Sequence, residues 1–199
     1  MKPLLLATRN THKTAEIATL LAGHFTVTDL TTLPGAPEVE ETGTTFAANA
    51  ALKANAVSAH VHGWALADDS GLEVDALDRA PGVYSARYAG PTATDDANNS
   101  LLIRNLANTD PTHRTARFRC VLALSHDGTL RETFDGTIEG RIVPELRGPG
   151  GFGYDPLFIP EGHEETFGQL PPAVKNSISH RARALTAFTT WLADHRLES

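Results

Sequence analysis

Several short segments of this 199-residue chain carry residue types that could do chemistry on a polyanion. Asp68-Asp69-Ser70-Gly71 follows the apolar run Trp64-Ala65-Leu66-Ala67. An apolar strand that ends in paired acids sets two carboxylates side by side, and desolvation and repulsion oppose that unless a cation is present. Mg²⁺ takes carboxylate oxygens together with substrate phosphate oxygens, so the pair points to a metal and a phosphate ligand. A second acidic run, Glu38-Val39-Glu40-Glu41, has two readings: more metal ligands, or a solvated loop whose acids favour the helix N-terminus that follows.

Three further segments bear on an anionic ligand. Thr8-Arg9-Asn10-Thr11-His12-Lys13 leaves a strand and opens a helix, where backbone N–H groups and a nearby lysine suit phosphate. It lacks the P-loop glycines, and a turn capped by Thr11 explains the same residues. Gly148 to Pro156 is glycine-rich and displays Phe152 and Tyr154. Flat rings there could stack on a base or seal a core, and Asp155 before Pro156 could simply cap a turn. Lys175-Asn176-Ser177-Ile178-Ser179-His180-Arg181 offers several donors to an anion or a carbonyl oxygen. If one helix runs through Ile178 and His180, the histidine lies about 200° round from the core-facing isoleucine.

The elements that must position these residues read as a mixed α/β fold. Strands are expected at 4–7 and 25–28, and helices at about 13–22 and 45–60. A buried strand at 64–67 runs into the acids, and a helix follows from about 95 to 108. Residues 115–124 alternate through Ala116, Phe118, Cys120, Leu122 and Leu124, and Asp127-Gly128 signals a hairpin whose return strand runs to about 138. A last helix places Ile178, Leu185, Phe188 and Leu192 on one stripe. The opening is a strand–helix–strand unit and the middle is antiparallel, so a ligand cleft between two portions of a single domain, residues 1–199, is expected.

Composition narrows the function classes. Hydrophobic residues make up 41% and charged residues 21%, which excludes a disordered chain. The formal net charge of −7 argues against a nucleic-acid backbone as partner. The single cysteine, Cys120, excludes an internal disulfide and sits in an apolar run that reads as core. The apolar start of the chain meets Arg9 at once, too early for a membrane span or a signal peptide, so a soluble cytoplasmic protein is expected. Neither a nucleophile triad nor a zinc-binding spacing is present.

Taken in order, the motifs resemble the inosine/xanthosine triphosphate pyrophosphatase family. They are Thr8-x-Asn10-x-x-Lys13; Glu40-Glu41-Thr42-Gly43-x-Thr45-Phe46 with Asn49-Ala50 and Lys53-Ala54; and Ala67 to Leu72. Ala80 to Gly90, Gly150 to Pro156, and Lys175-Asn176-x-Ile178-Ser179-His180-Arg181 complete the set. Arg9 stands where the family more often has glycine, and Gln169-Leu170-Pro171-Pro172 where it often has acids. The resemblance implies hydrolysis of ITP, dITP, XTP or dXTP to the monophosphate and pyrophosphate with Mg²⁺, by a homodimer. The implied fold is an elongated mixed α/β sheet with flanking helices and two lobes around a cleft. Residues Thr8 to Lys13 would hold the phosphates, Glu41 or its neighbour Glu40 would bind Mg²⁺ with Asp69, and Asp69 would take the proton with Asp68 beside it. Ser70, Phe152, Gly153, Tyr154, Asp155, Lys175, His180 and Arg181 would contact the nucleotide. The rivals are a non-catalytic nucleotide sensor on the same fold, and a pyrophosphatase for modified pyrimidines or ordinary dNTPs.

Overall fold

The computed structural model describes residues 2–195 and 197 of the chain. Among the described residues six strands and five α-helices follow one another: β1 Lys2–Leu6, α1 Thr11–Leu20, β2 Phe25–Asp29, α2 Phe46–Val61, β3 Trp64–Val74, α3 Asp95–Asn105, β4 Thr115–His126, β5 Thr129–Ile142, β6 Phe158–Pro160, α4 Pro172–Ile178 and α5 His180–Asp194. The strands form one mixed sheet in the order β2-β1-β3-β4-β5-β6. β1 pairs in parallel with β2 and with β3, whereas β5 and β6 are antiparallel. The expected strand–helix–strand opening and the β4–β5 hairpin are both present. At the hairpin, Asp127 and Gly128 both take positive φ, 48° and 77°, which matches the twist of a two-residue turn.

The chain divides into two compact units. The first comprises Met1–Asp69, Cys120–Gly136 and Arg181–Ser199. Its core gathers Leu4 and Leu6 of β1, Ile17 of α1, Leu66 of β3, Leu122 of β4 and Phe188 of α5. Phe188 is fully buried, with Phe25 stacked at 6.0 Å and the edge of Phe134 at 5.3 Å. The second unit comprises Ser70–Arg119 and Thr137–His180. Its core gathers Leu72, Leu102, Phe118, Ile138, Phe158 and Phe167.

Two expectations about the elements fail for physical reasons. The strand expected to stop before Asp68 continues for 11 residues through Asp68, Asp69, Ser70 and Gly71 to Val74. Apolarity was a poor guide to its end, because its polar residues find partners inside the protein. The single last helix is two helices, α4 and α5, broken at Ser179, whose ψ of 159° is extended. Ile178 therefore packs on the core of the second unit, and Leu185 and Phe188 on that of the first. The angle computed for His180 along one helix does not apply, and the residue is 4% exposed instead of facing outward.

Phe188→Ala removes a fully buried ring from an aromatic cluster. It is expected to lower unfolding free energy by about 3–5 kcal/mol, read as a drop in the urea midpoint.

Candidate active site

Adjacent residues of a strand point to opposite faces, and that places Asp68 and Asp69 in different surroundings. Asp68 is 3% exposed. Its Oδ1 accepts from Lys13 Nζ at 2.5 Å, and its Oδ2 from Arg181 Nε at 2.8 Å and Cys120 Sγ at 3.2 Å. Burial opposes its ionisation, but the charges of Arg181 and Lys13 and their hydrogen bonds outweigh that cost and hold the carboxyl well below the usual range. Arg181 in turn donates from Nη1 to Glu16 Oε2, so a buried guanidinium lies between two carboxylates. Cys120 is buried as expected, and burial together with Asp68 pushes its thiol well up.

Asp69 meets Lys53, from the middle of α2. Lys53 Nζ donates to Asp69 Oδ1 at 2.9 Å, to Glu41 Oε1 at 2.7 Å and to the Asp68 carbonyl oxygen at 3.0 Å. Burial raises the Asp69 carboxyl above its ordinary value, although Lys53 and Lys13 pull the other way. Asp69 Oδ2 is buried and has no hydrogen-bond partner among the described residues. A buried acceptor left unmatched costs about 1–3 kcal/mol, so this oxygen is poised to receive a proton or a cation.

Glu41 and Asp69 thus bring hard carboxylate oxygens to one ammonium, with one oxygen open. That donor set fits Mg²⁺, which takes one or two carboxylates and fills its shell with water and phosphate oxygens. No group of three or more His, Cys, Asp or Glu able to hold a metal occurs among the described residues. Glu40, the alternative, is exposed and makes no ion pair among the described residues; Glu41 is the acid beside Asp69.

The loop from Thr8 to Lys13 has Asn10, not Thr11, as the cap of α1. Asn10 Oδ1 accepts from the backbone N–H groups of His12 and Lys13, and Thr8 Oγ1 accepts from the N–H of Asn10. Capping consumes two of the helix-start donors expected for phosphate. Of the side chains here, Arg9 is exposed and donates to the Ala36 carbonyl at 3.1 Å, and His12 is exposed. The Lys13 side chain is 16% exposed while its ammonium rests on Asp68.

In the second unit, Asp155 is 2% exposed and organises the glycine-rich loop. Its Oδ2 accepts from the N–H of Phe152 at 2.9 Å and from Lys175 Nζ at 2.5 Å. Lys175 is buried and also lies over the Phe152 ring, 4.8 Å from its centre. Phe152 is half-buried, and Gly153 beside it takes φ +61°. Tyr154 is 4% exposed and donates to the Ser85 carbonyl at 2.8 Å, so it seals the core and offers no face to a base. His180 stacks on Phe118 at 4.9 Å. Ser70 lies within β3, half-buried. Arg181 is 1% exposed, with Nε on Asp68 and Nη1 on Glu16.

Lys53, Glu16 and Asn49 were not picked out as site residues. Lys53 and Asn49 lie four apart on one face of α2, and Asn49 Oδ1 holds the Gly43 N–H at 2.8 Å, fixing the loop that carries Glu41. That spacing after an acidic run was a usable signal. Glu16 gave none, since an acid on a short helix usually faces water.

Residues 4–191 match the model of the Ham1 family. The chain is 51% identical over 197 residues to the dITP/XTP pyrophosphatase of Geobacter sulfurreducens, covering 98% of this chain and 96% of that one. It is 46% identical over 195 residues to the protein of the same name from Listeria monocytogenes serotype 4b, covering 98% and 96%. Among solved structures, the Coxiella burnetii HAM1 protein superposes with a TM-score of 0.87 at 41% identity over 98% of this chain and all of that one. The Staphylococcus aureus Ham1 protein gives 0.86 at 38% identity, covering 97% and 99%.

The two acids should separate in stability. Asp68→Ala leaves Arg181 and Lys13 short of a buried counter-charge and is expected to cost about 3–5 kcal/mol; Asp69→Asn should cost less than about 1 kcal/mol. Urea unfolding of both variants checks this. The sign with pH follows from the depressed carboxyl of folded Asp68: its contribution is present above the unfolded-state pKa of about 3.9 and is lost as pH falls towards the folded value.

Proposed function

The chain belongs to the Ham1 family, and on that footing we propose that it hydrolyses non-canonical purine nucleoside triphosphates, dITP or ITP and XTP or dXTP, to the monophosphate and pyrophosphate. The observation that carries the reading is Asp69: a buried carboxylate raised above its ordinary value, held through one oxygen by Lys53 and open at the other. A sensor that only binds nucleotide has no use for such a group.

The chemistry follows from the residues. Asp69 Oδ2 takes the proton of the water that attacks the α-phosphate. Its raised basicity brings it closer to the pH at which it works, and Lys53 fixes its orientation. Glu41 and Asp69 would hold Mg²⁺, which supplies charge neutralisation at the phosphate oxygens when bound. Lys13, Arg9 and the loop through Thr8, Asn10, Thr11 and His12 bind the phosphates. Asp68 keeps Lys13 and Arg181 in place and stays ionised, so it takes no proton. Phe152, with Gly153 and Asp155 shaping its loop, contacts the base; Lys175 supports that ring, and Ser70 and His180 complete the contacts. Arg181 contributes through Asp68 and Glu16.

No helix among the described residues is long and apolar enough to cross a membrane. A cytoplasmic location goes with a substrate drawn from the nucleotide pool, and the homodimer rests on the family resemblance.

Pyrophosphate release with Mg²⁺ from dITP, XTP, dATP, dGTP and dUTP tests the reading. Release from dITP and XTP well ahead of the others is expected. Asp69→Asn should lower kcat by at least about 10²–10⁴-fold, the contribution of a positioned general base. A wild-type enzyme that binds dITP but releases no pyrophosphate would leave the sensor.

A further inference from the structure

Both peptide groups that flank Phe152 are held by hydrogen bonds; one of the holders comes from α3, which also holds the carbonyl of the next peptide group. Asp155 takes the Phe152 N–H, and the Phe152 carbonyl accepts from the Asp155 N–H at 3.2 Å. Asp95 Oδ2 accepts from the Gly153 N–H at 2.6 Å. Asn99 Nδ2 donates to the Gly153 carbonyl at 2.9 Å. Asp95 and Asn99 stand four residues apart, one above the other on the same helix face, so a single rigid element grips both sides of one glycine.

We propose that Asp95 and Asn99 are positioning residues for the base-binding loop, acting through Gly153 on the direction of the Phe152 ring. The proposal rests on the pyrophosphatase reading above and adds to it a part of the chain that no site motif contains. Three features support it. Gly153 takes φ +61°, a conformation with little steric cost for glycine, so the backbone would sample other states unless its polar groups were tied. Asn99 is 3% exposed, and its Oδ1 is buried with no hydrogen-bond partner among the described residues. An apolar side chain would avoid that desolvation cost, so the amide is useful here for its Nδ2 donor, whose partner is the loop. Finally, α3 is itself anchored: Asn98 donates to the Ala86 carbonyl and accepts from the Ala89 N–H, and Thr94 caps the helix. The grip therefore transmits the position of a fixed element to the loop.

Asp96 supplies a control. It is exposed in the same first turn of α3 and makes no hydrogen bond or ion pair among the described residues. Asp96→Ala removes the same helix-terminal charge as Asp95→Ala without touching the loop.

The test compares Asp95→Ala, Asp95→Asn, Asn99→Ala and Asp96→Ala, each alone and with Phe152→Ala. Amide hydrogen exchange is read over residues 150–156, and kcat and KM for dITP are measured separately. Asp95→Ala and Asn99→Ala should speed exchange in that segment and raise KM about three- to tenfold, the size of one lost hydrogen bond, with kcat changed less. Asp95→Asn retains an acceptor oxygen and should lie near wild type, as should Asp96→Ala. In the Phe152→Ala background the KM effects should vanish, because the clamp then has no ring to aim. Unchanged exchange in the two alanine variants would overturn the clamp, and so would a KM penalty of equal size with and without Phe152. Failure of the pyrophosphatase reading would show differently, as absence of pyrophosphate release by the wild-type enzyme.

Discussion

Two neighbouring carboxylates on a buried strand face the same desolvation cost, and the two-residue period of β3 gives each a different answer to it. On one face Asp68 meets Lys13 and Arg181 and is held ionised. On the other Asp69 shares Lys53 with Glu41 and keeps an oxygen unpartnered. The rest of the first unit is arranged around this division. α1 supplies Lys13 and Glu16, α2 supplies Lys53, and the first turn of α5 supplies Arg181. Removing the charge of Asp68 would leave Lys13 without this counter-charge and Arg181 with Glu16 alone of its two carboxylates. Removing the charge of Asp69 would leave Lys53 with Glu41.

This division explains why the charged residues of the first unit come from segments scattered along the chain. Thr8 to Lys13, Glu41, Lys53, Asp68 and Asp69, and Arg181 all contribute to the first unit. The loop from Gly150 to Pro156 and Lys175 belong to the second, where Asp155 repeats the device on a smaller scale: a buried acid that neutralises a buried lysine and caps a turn. In both units buried charged side chains are paired within the protein, and Asp69 Oδ2, close to Glu41 and Lys53, is one of the few buried polar atoms with no hydrogen-bond partner among the described residues.

Much of the fold was legible from pattern. The alternation from Ala116 to Leu124, the Asp127-Gly128 turn and the apolar run of β1 specify strands, because a half-buried or fully buried sheet demands those patterns. The ordered motifs pointed to the family. What could not be read were effects of tertiary pairing. Asp68 and Asp69 looked like the end of a strand because partners distant in sequence, Lys53 and Arg181, make a continuing strand tolerable. Ser179 breaks a helix that periodicity joins, since Ile178 and Leu185 serve different cores. Arg181 read as a donor to a ligand, not as an internal ion-pair partner, because a fully buried arginine is rare unless paired, and its partner Glu16 lies 165 residues away.

The central claim is that Asp68 and Asp69 differ in charge behaviour because their cation sets differ. Carboxyl-carbon NMR of the wild-type protein, titrated from neutral to acid pH without metal, measures this directly once Asp68→Asn and Asp69→Asn spectra assign the two signals. The account predicts that Asp69 titrates above the ordinary aspartate value and that Asp68 remains ionised to the lowest pH at which the protein stays folded. Titration of Asp68 above Asp69, or of both together near the ordinary value, would contradict it.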